Sequence, residues 1–266
     1  MSIAGSDSGG GAGIQADIKT ISALGCYATT AITAITVQNT RGVSHIHSVP
    51  PEIVEQQIEA ILSDMGSDTI KIGMLHNVQI IRAVARTLKK YMPLPVVLDP
   101  VMVATSGHKL IEDHTIDTLQ TELFPLATII TPNLDEAEIL AGQSMRSLEA
   151  MLAASRSLLR WGNQAVLLKG GHLAGEMVYD IYLAQSPSEP KIFESPKIHS
   201  RNLHGSGCTL SSAIASFLAL GLSREEAVVA ARQYVYEAIR HGKDYQLGEG
   251  AGPLNHFYSP KILQSK

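Results

Sequence analysis

Short runs of apolar, mostly β-branched residues alternate along the chain with longer stretches whose apolar residues return every three or four positions. The first kind predicts strands: "CYATTAITAITV" at 26–37, "DTIKIG" at 68–73, "LPVVLDP" at 94–100, "ATIITP" at 127–132 and "QAVLLKG" at 164–170. The second kind predicts amphipathic helices in "PEIVEQQIEAILSDMG", "VQIIRAVARTLKKYM" and "SLEAMLAASRSLLRWG". Such alternation is the pattern of an α/β protein with a mostly parallel sheet and helices on both faces. From about residue 177 the pattern changes. "MVYDIYLA" and "KIFESPKIHS" flank the turn-rich "QSPSEP", which predicts a short antiparallel pair at the sheet edge. Two long helices follow over 207–220 and 223–241, the second opening at the capping sequence "SREE". No linker or internal repeat interrupts the pattern, so residues 1–266 are expected to form one domain.

Composition narrows the range of partners. A net charge of -4 argues against nucleic acid or an anionic membrane as the main partner, and 5% aromatic residues leave little for base stacking. The start "MSIAGSDSGGGAG" has neither the basic segment nor the apolar core of a signal peptide, and no apolar run approaches the roughly 18 residues of a membrane span. A cytoplasmic location is expected. The two cysteines, Cys26 and Cys208, lack metal-ligand spacing and are expected to be reduced thiols.

In open parallel sheets, ligands bind beyond the carboxyl ends of the strands. The unusual chemistry of this chain falls at such ends: Gly73-Met74, Asp99-Pro100-Val101-Met102, Thr131-Pro132-Asn133 and Lys169-Gly170-Gly171. Glycine and proline often simply end strands, but together these ends point to one crevice.

Four motifs each carry two readings. In "GSDSGGGAGIQADIKT" (5–20), the segment Gly11–Ala16 matches the dinucleotide pattern GxGxxA. The acidic residue expected about 20 positions on is missing, and Asp17 would set a carboxylate where a pyrophosphate should lie, which argues against a nicotinamide dehydrogenase. No GxxxxGK[ST] loop is present. What remains is either a glycine turn with Asp17 favouring a helix dipole, or a polar pocket in which Asp17 bonds the ligand. Gln38, ending a strand, has the donors and acceptor that an aminopyrimidine edge requires, or is mere surface. Asn133-Leu134-Asp135-Glu136 suits a capping box; alternatively its amide and carboxylate, with Asp99, hold a hydrated magnesium ion. In "RNLHGSGCTLSS" (201–212), Gly205, Ser206 and Gly207 open a helix whose free N–H groups can bind an anion, with Cys208 at a lowered thiol pKa. The bland version has Ser206 or Thr209 capping and Cys208 packing. A polar pocket, a magnesium pair, a strand-end lysine and an anion-binding helix start are the parts of an ATP-dependent small-molecule kinase.

The segments "IAGSDSGGGAGIQADIKT", "QNTRGV", "IKIGM", "LDPVMVATSG", "TPNLDEA", "LLKGGH" and "HGSGCTLSSAIA" resemble the hydroxymethylpyrimidine/phosphomethylpyrimidine kinases of thiamine biosynthesis, in the ribokinase-like superfamily. They occur in the family's order and span nearly the whole chain. The resemblance implies a three-layer α-β-α fold, a homodimer, and two ATP-dependent phosphorylations at one site. The substrate would be 4-amino-5-hydroxymethyl-2-methylpyrimidine and then its monophosphate. It implies that Gln38 and Asp17 contact the pyrimidine edge, with Gly5, Ala12, Met74 and Val101 shaping the pocket. Asn133 and Glu136 match the superfamily's NxxE magnesium motif, and Lys169 would approach the ATP phosphates. Gly205, Ser206 and Gly207 would form the anion hole, and Cys208 stands where many relatives place a catalytic aspartate. Relative to the family, the first strand is expected to be reduced to Met1–Ala4. The competing readings are a pyridoxal kinase of the same superfamily and a non-catalytic pyrimidine-binding protein.

Overall fold

Strands buried on both faces need apolar side chains almost throughout, and the central strands have them apart from Lys71 in β4 and Lys169 at the end of β7. In β4 (Ile70–Ile72), β5 (Val96–Leu98), β6 (Ile129–Ile130) and β7 (Ala165–Lys169), successive side chains enter different cores. Ile70, Ile72, Val96, Leu98, Ile130, Val166 and Leu168 pack with α2 (Pro51–Leu62), α3 (Val78–Lys89), α5 (Leu134–Ala141) and α6 (Leu148–Leu158). Val97, Ile129, Ala165 and Leu167 pack instead with α7 (Ser206–Ala219) and α8 (Arg224–Gly242). This period-2 partition makes three layers, α-β-α. Each fully buried aliphatic side chain contributes about 1.5–3 kcal/mol, so the double-faced strands dominate the core. The computed structural model describes residues 1–103, 110–112, 114–171, 173–185 and 188–264. Ala104–Gly107 of "LDPVMVATSG", His172 of "LLKGGH" and Ser186–Pro187 of "QSPSEP" lie outside the described residues.

The nine-stranded sheet has the order β3-β2-β1-β4-β5-β6-β7-β8-β9. β1 (Ser2–Asp7) pairs parallel with both β2 (Thr30–Asn39) and β4, and the parallel run continues to β7. β8 (Met177–Ala184) and β9 (Lys191–Pro196) form the expected antiparallel edge. The opposite edge is antiparallel as well. β3 (Gly42–Ser48) folds back on β2 through a turn at Thr40-Arg41, a strand that the sequence pattern did not announce. β1 also runs on to Asp7 instead of ending at Ala4, with a register shift between Ala4 and Ser6. Because the chain leaves β1 towards β2 and later returns on its other side to β4, the sheet has its switch point between β1 and β4. There the carboxyl ends of neighbouring strands diverge and leave a crevice. α1 (Gly13–Ala23) and α7 both start at that end. Among the described residues, no helix is long and apolar enough to cross a membrane, and neither cysteine forms a disulfide.

Candidate active site

A cavity of about 590 Å³ opens at this switch point. One part is lined by Gly5, Ala12, Gln38, Met74 and Val101, another by Asp99, Asn133, Glu136 and Lys169, with Gly205 to Cys208 between them. The structure therefore brings every residue singled out from the sequence to one cavity wall except Asp17. Two glycine turns form its rim. Gly205 has φ +85°, and a Cβ there would lie 1.8 Å from the carbonyl oxygen of Gly11. No other residue type fits, so the turn before α7 and the turn before α1 interlock through bare backbone. In the first turn of α7 the Ser206 N–H bonds the Leu203 carbonyl at 3.1 Å, while the N–H groups of Gly207 and Cys208, which have no intrahelical acceptor, belong to the same rim.

Lys169, the last residue of β7, puts its Nζ 3.0 Å from Asp99 Oδ1, which also accepts a bond from Thr131 Oγ1 at 2.9 Å. A Cβ on Gly207 would be 3.3 Å from that Nζ, so the ammonium lies directly against the start of α7. Burial opposes its charge, but Asp99 and Glu136 outweigh burial and raise the lysine pKa. Asn133 and Glu136 make both capping-box bonds: Asn133 Oδ1 accepts from the Glu136 N–H at 2.9 Å, and Glu136 Oε2 accepts from the Asn133 N–H at 2.8 Å. The capping reading is thus realised. Glu136 is 4% exposed, and burial, with the repulsion of Asp99, pushes its carboxyl up to about 7 despite Lys169 and two backbone N–H groups.

That shift has a consequence for stability. The folded state holds the Glu136 proton more tightly than the unfolded chain, so its contribution is present in acid and is lost as pH rises from about 4.5 through about 7. Glu136→Gln retains an amide oxygen for the Asn133 N–H and removes the titration. The difference in thermal stability between wild type and this variant is expected to shift in favour of the variant as pH rises from about 4.5 to about 7 and to level off above that; a pH-independent difference would show that the carboxyl is not held neutral.

Asp17 corrects an expectation. It is fully buried in α1, and both of its oxygens lie 2.9 Å from Lys71 Nζ. Ser2 Oγ and Ser212 Oγ donate to the same carboxylate at 2.6 and 2.7 Å. The cause lies in β4. Lys71 stands between Ile70 and Ile72, so its side chain leaves the sheet on the opposite face, beneath α1 and α7. A buried ammonium needs a buried partner, and Asp17 is that partner rather than a ligand contact. Burial opposes the charge on Lys71, but Asp17 outweighs it, with smaller help from Cys208 and Asp99, and the lysine pKa rises.

Cys208 corrects a second expectation. A thiol at a helix start was expected to be acidic. Burial instead pushes it up to about 11; Asp17 and Asp99 add to the rise, while Lys71 and the N–H of Gly13 oppose it. The half-buried Cys208 keeps part of its surface on the cavity but rests as a neutral thiol.

Two site residues escaped the sequence reading. His204 Nε2 lies 3.0 Å from Asp7 Oδ2 and 3.2 Å from one end of the Gln38 amide. Asp7 also accepts N–H bonds from Gly9, Gly11 and Ala12 at 2.7, 3.1 and 2.8 Å, so it organises the glycine turn. An aspartate just before "SGGGAG" is a turn signal that could have revealed it. His204 has its contacts 166 and 197 residues away and gave no local signal. Val178 of β8 and Val235 and Ile239 of α8 also line the cavity. Arg232 there bonds Asp180 Oδ2 at 2.8 Å.

Comparison with known proteins fits this geometry. A sequence profile described as phosphomethylpyrimidine kinase matches residues 7–255. The thiamine biosynthesis bifunctional protein of Geobacter sulfurreducens is 47% identical over all of this chain, which spans 54% of that protein. The structure of phosphomethylpyrimidine kinase from Clostridium difficile is 44% identical, with a TM-score of 0.79 over 90% of this chain and 97% of that one. The ADP complex of Bacillus subtilis pyridoxal kinase is 35% identical, with a TM-score of 0.88 over 96% of both chains. Sheet, cavity and relatives together define a phosphotransferase of the ribokinase-like class. The chain belongs to the phosphomethylpyrimidine kinase family.

Proposed function

We propose that the protein uses ATP to phosphorylate 4-amino-5-hydroxymethyl-2-methylpyrimidine, and then phosphorylates the monophosphate to the diphosphate. The observation that carries this reading is the juxtaposition, in one cavity, of the Gln38 amide with the start of α7 and the Lys169 ammonium. Gln38 would bond the amino-pyrimidine edge, and Gly5, Ala12, Met74 and Val101 would enclose the ring. The turn from Gly205 to Cys208, through the N–H groups of Gly207 and Cys208, and the ammonium of Lys169 would hold the transferring phosphoryl group. In the reaction the substrate hydroxyl oxygen bonds to the γ-phosphorus, the bond to the β-phosphate oxygen breaks, and the hydroxyl proton is released. Val178, Val235 and Ile239 of the cavity lining would offer apolar contact to the adenine of ATP.

The donor set also fits magnesium. Among the described residues, no group of three or more His, Cys, Asp or Glu side chains forms a metal cage. Two buried carboxylates, Asp99 and Glu136, nevertheless repel one another, and a hydrated magnesium ion needs only one or two carboxylates. Those two residues, with Asn133, would hold it, and when bound it would neutralise charge on the ATP phosphates.

A pyridoxal kinase is the second reading, favoured by the closer backbone match to the Bacillus subtilis enzyme. Purified protein should be incubated with ATP, magnesium and either the hydroxymethylpyrimidine or pyridoxal, and the products weighed by mass spectrometry. Mono- and diphosphate of the pyrimidine are expected. Preferential turnover of pyridoxal would replace this reading with the second; ligand binding with no phosphorylation of either would leave a pyrimidine-binding protein.

The resting state of Cys208 yields a further prediction. With the thiol pushed up to about 11, roughly one molecule in 10³–10⁴ carries a thiolate near neutral pH. Phosphoryl transfer proceeds through a loose transition state that needs charge stabilisation more than a strong base. Cys208→Ser, which keeps the backbone donors, is therefore expected to retain kcat within about tenfold. A loss of 10²-fold or more, the range of general-base removal, would make the thiol the proton acceptor.

A further inference from the structure

The nitrogen and oxygen of an amide are told apart by their partners, and the partners of Gln38 allow a proton count. One end of the amide lies 3.0 Å from Thr36 Oγ1, which is also 2.9 Å from the backbone carbonyl of Ser6. Gln38 Oε1 is placed at this end, which gives the one Thr36 proton two acceptors. With the amide turned over, Thr36 donates to the Ser6 carbonyl and accepts from the amide nitrogen, so this end admits the nitrogen. The other end faces His204 Nε2 at 3.2 Å, and that ring nitrogen lies 3.0 Å from Asp7 Oδ2. A carboxylate can only accept, so Nε2 carries a proton. A second N–H there would be repelled, whereas the amide oxygen can accept a share of the proton that Nε2 gives Asp7, so the Gln38 nitrogen placed at this end is better read as the oxygen. The His204 end sets the orientation, and the Thr36 end is compatible with it.

The network is held firmly. Burial would raise the Asp7 carboxyl, but the bonds from His204, Ala12 and Gly9 outweigh burial and hold it below the usual carboxylate range. The His204 ring occupies the space beside Gly11, where a Cβ would lie 2.4 Å from Cδ2. Gln38 is left with one N–H and one oxygen lone pair for a ligand.

We propose that His204, held by Asp7, is a specificity-determining residue: it locks the Gln38 amide so that a ligand meets its N–H and its C=O in one fixed order. This rests on the reading that Gln38 bonds the pyrimidine edge. An aminopyrimidine offers a ring-nitrogen acceptor beside an amino donor. Its oxo counterpart offers a ring N–H donor beside a carbonyl acceptor, the reverse order. A free glutamine would turn its amide over and take either ring. A locked one must set donor against donor and reject the oxo ring, by roughly 10²-fold for a pair of misplaced hydrogen bonds.

Two measurements test this. In protein with ¹⁵N-labelled histidine, the His204 signal, identified by its loss in His204→Phe, is expected to show a protonated Nε2. An unprotonated Nε2 overturns the proposal whatever the substrate proves to be. The second measurement is the ratio of kcat/KM for the amino ring to that for the oxo ring. Wild type is expected to favour the amino ring by roughly 10²-fold. His204→Phe, which keeps a ring beside Gly11 but has no N–H, is expected to lower that ratio at least about tenfold. His204→Gln, which can still donate to the Gln38 oxygen, should keep most of it. An unchanged ratio in folded His204→Phe overturns the proposal. A wild-type protein that phosphorylates neither ring overturns the proposed function instead, and the histidine spectrum alone then decides the role of His204.

Discussion

Gly205→Ala is expected to abolish phosphoryl transfer, lowering kcat by more than about 10³-fold. The residue sits at φ +85°, and a Cβ placed there would lie 1.8 Å from the Gly11 carbonyl oxygen and 2.9 Å from its carbon. Both contacts are to backbone, so no side-chain rotation relieves them. The turn before α7 must move away from the turn before α1, and the first-turn N–H groups move with it. Left-handed backbone alone costs a non-glycine residue on the order of 1–3 kcal/mol, and the forced separation adds to that. A useful control is Gly171→Ala, where a Cβ meets nothing within 4 Å. Thermal unfolding and steady-state kinetics should separate the two: a large loss of both stability and kcat at Gly205, and little change in melting temperature at Gly171. Wild-type kinetics in Gly205→Ala would mean that the two turns do not jointly form the site.

The layers were legible in the sequence because parallel strands buried on two faces leave continuous apolar runs. "AVLLK" and "PVVL" could be little else once helical segments flanked them. β3 was missed because an edge hairpin strand faces water, and "VSHIHS" shows polar residues where the apolar signal was sought. β1 was cut short because "GSD" has turn composition, although its backbone still pairs with β2 through Asp7. The cavity lining was legible wherever a residue's chemistry and its place at a strand end coincided, as for Lys169, Asp99 and Gln38. Asp17 was misplaced because its role depends on Lys71, which joins it only when β4 and α1 stack. A single lysine inside an apolar strand, with its neighbours facing the other way, was the available clue. The acidity of Cys208 was misjudged for a related reason. A helix start lowers a thiol pKa only where burial and neighbouring carboxylates do not oppose it, and Asp17 and Asp99 do.

Lys169→Met is expected to damage stability and catalysis together, and pH separates the two effects. In the wild type, Lys169 pairs with Asp99, whose side chain is 2% exposed, and it is the chief positive charge near Glu136. Methionine keeps the apolar stem and removes the ammonium, which leaves two buried carboxylates with no cation beside them. Breaking a buried pair from one side costs about 3–5 kcal/mol. The sign with pH follows from the carboxyls. Without Lys169, the carboxyl of Glu136 rises further above its unfolded value, so the folded variant takes up protons more readily than the unfolded chain. Its deficit is therefore greatest at alkaline pH and shrinks as pH falls towards the unfolded carboxylate range. Thermal unfolding at about pH 5.5 and 8.5 should show that narrowing. Turnover should fall by roughly 10²–10³-fold even where the variant is fully folded, because in the function proposed above the ammonium beside Gly207 holds the transferring phosphoryl group. Lys169→Arg is not expected to restore it, since the broad guanidinium must fit where a Gly207 Cβ would already lie 3.3 Å from Nζ. Normal kcat in folded Lys169→Met, with only the stability deficit remaining, would reduce the lysine to a structural counter-ion of Asp99 and Glu136.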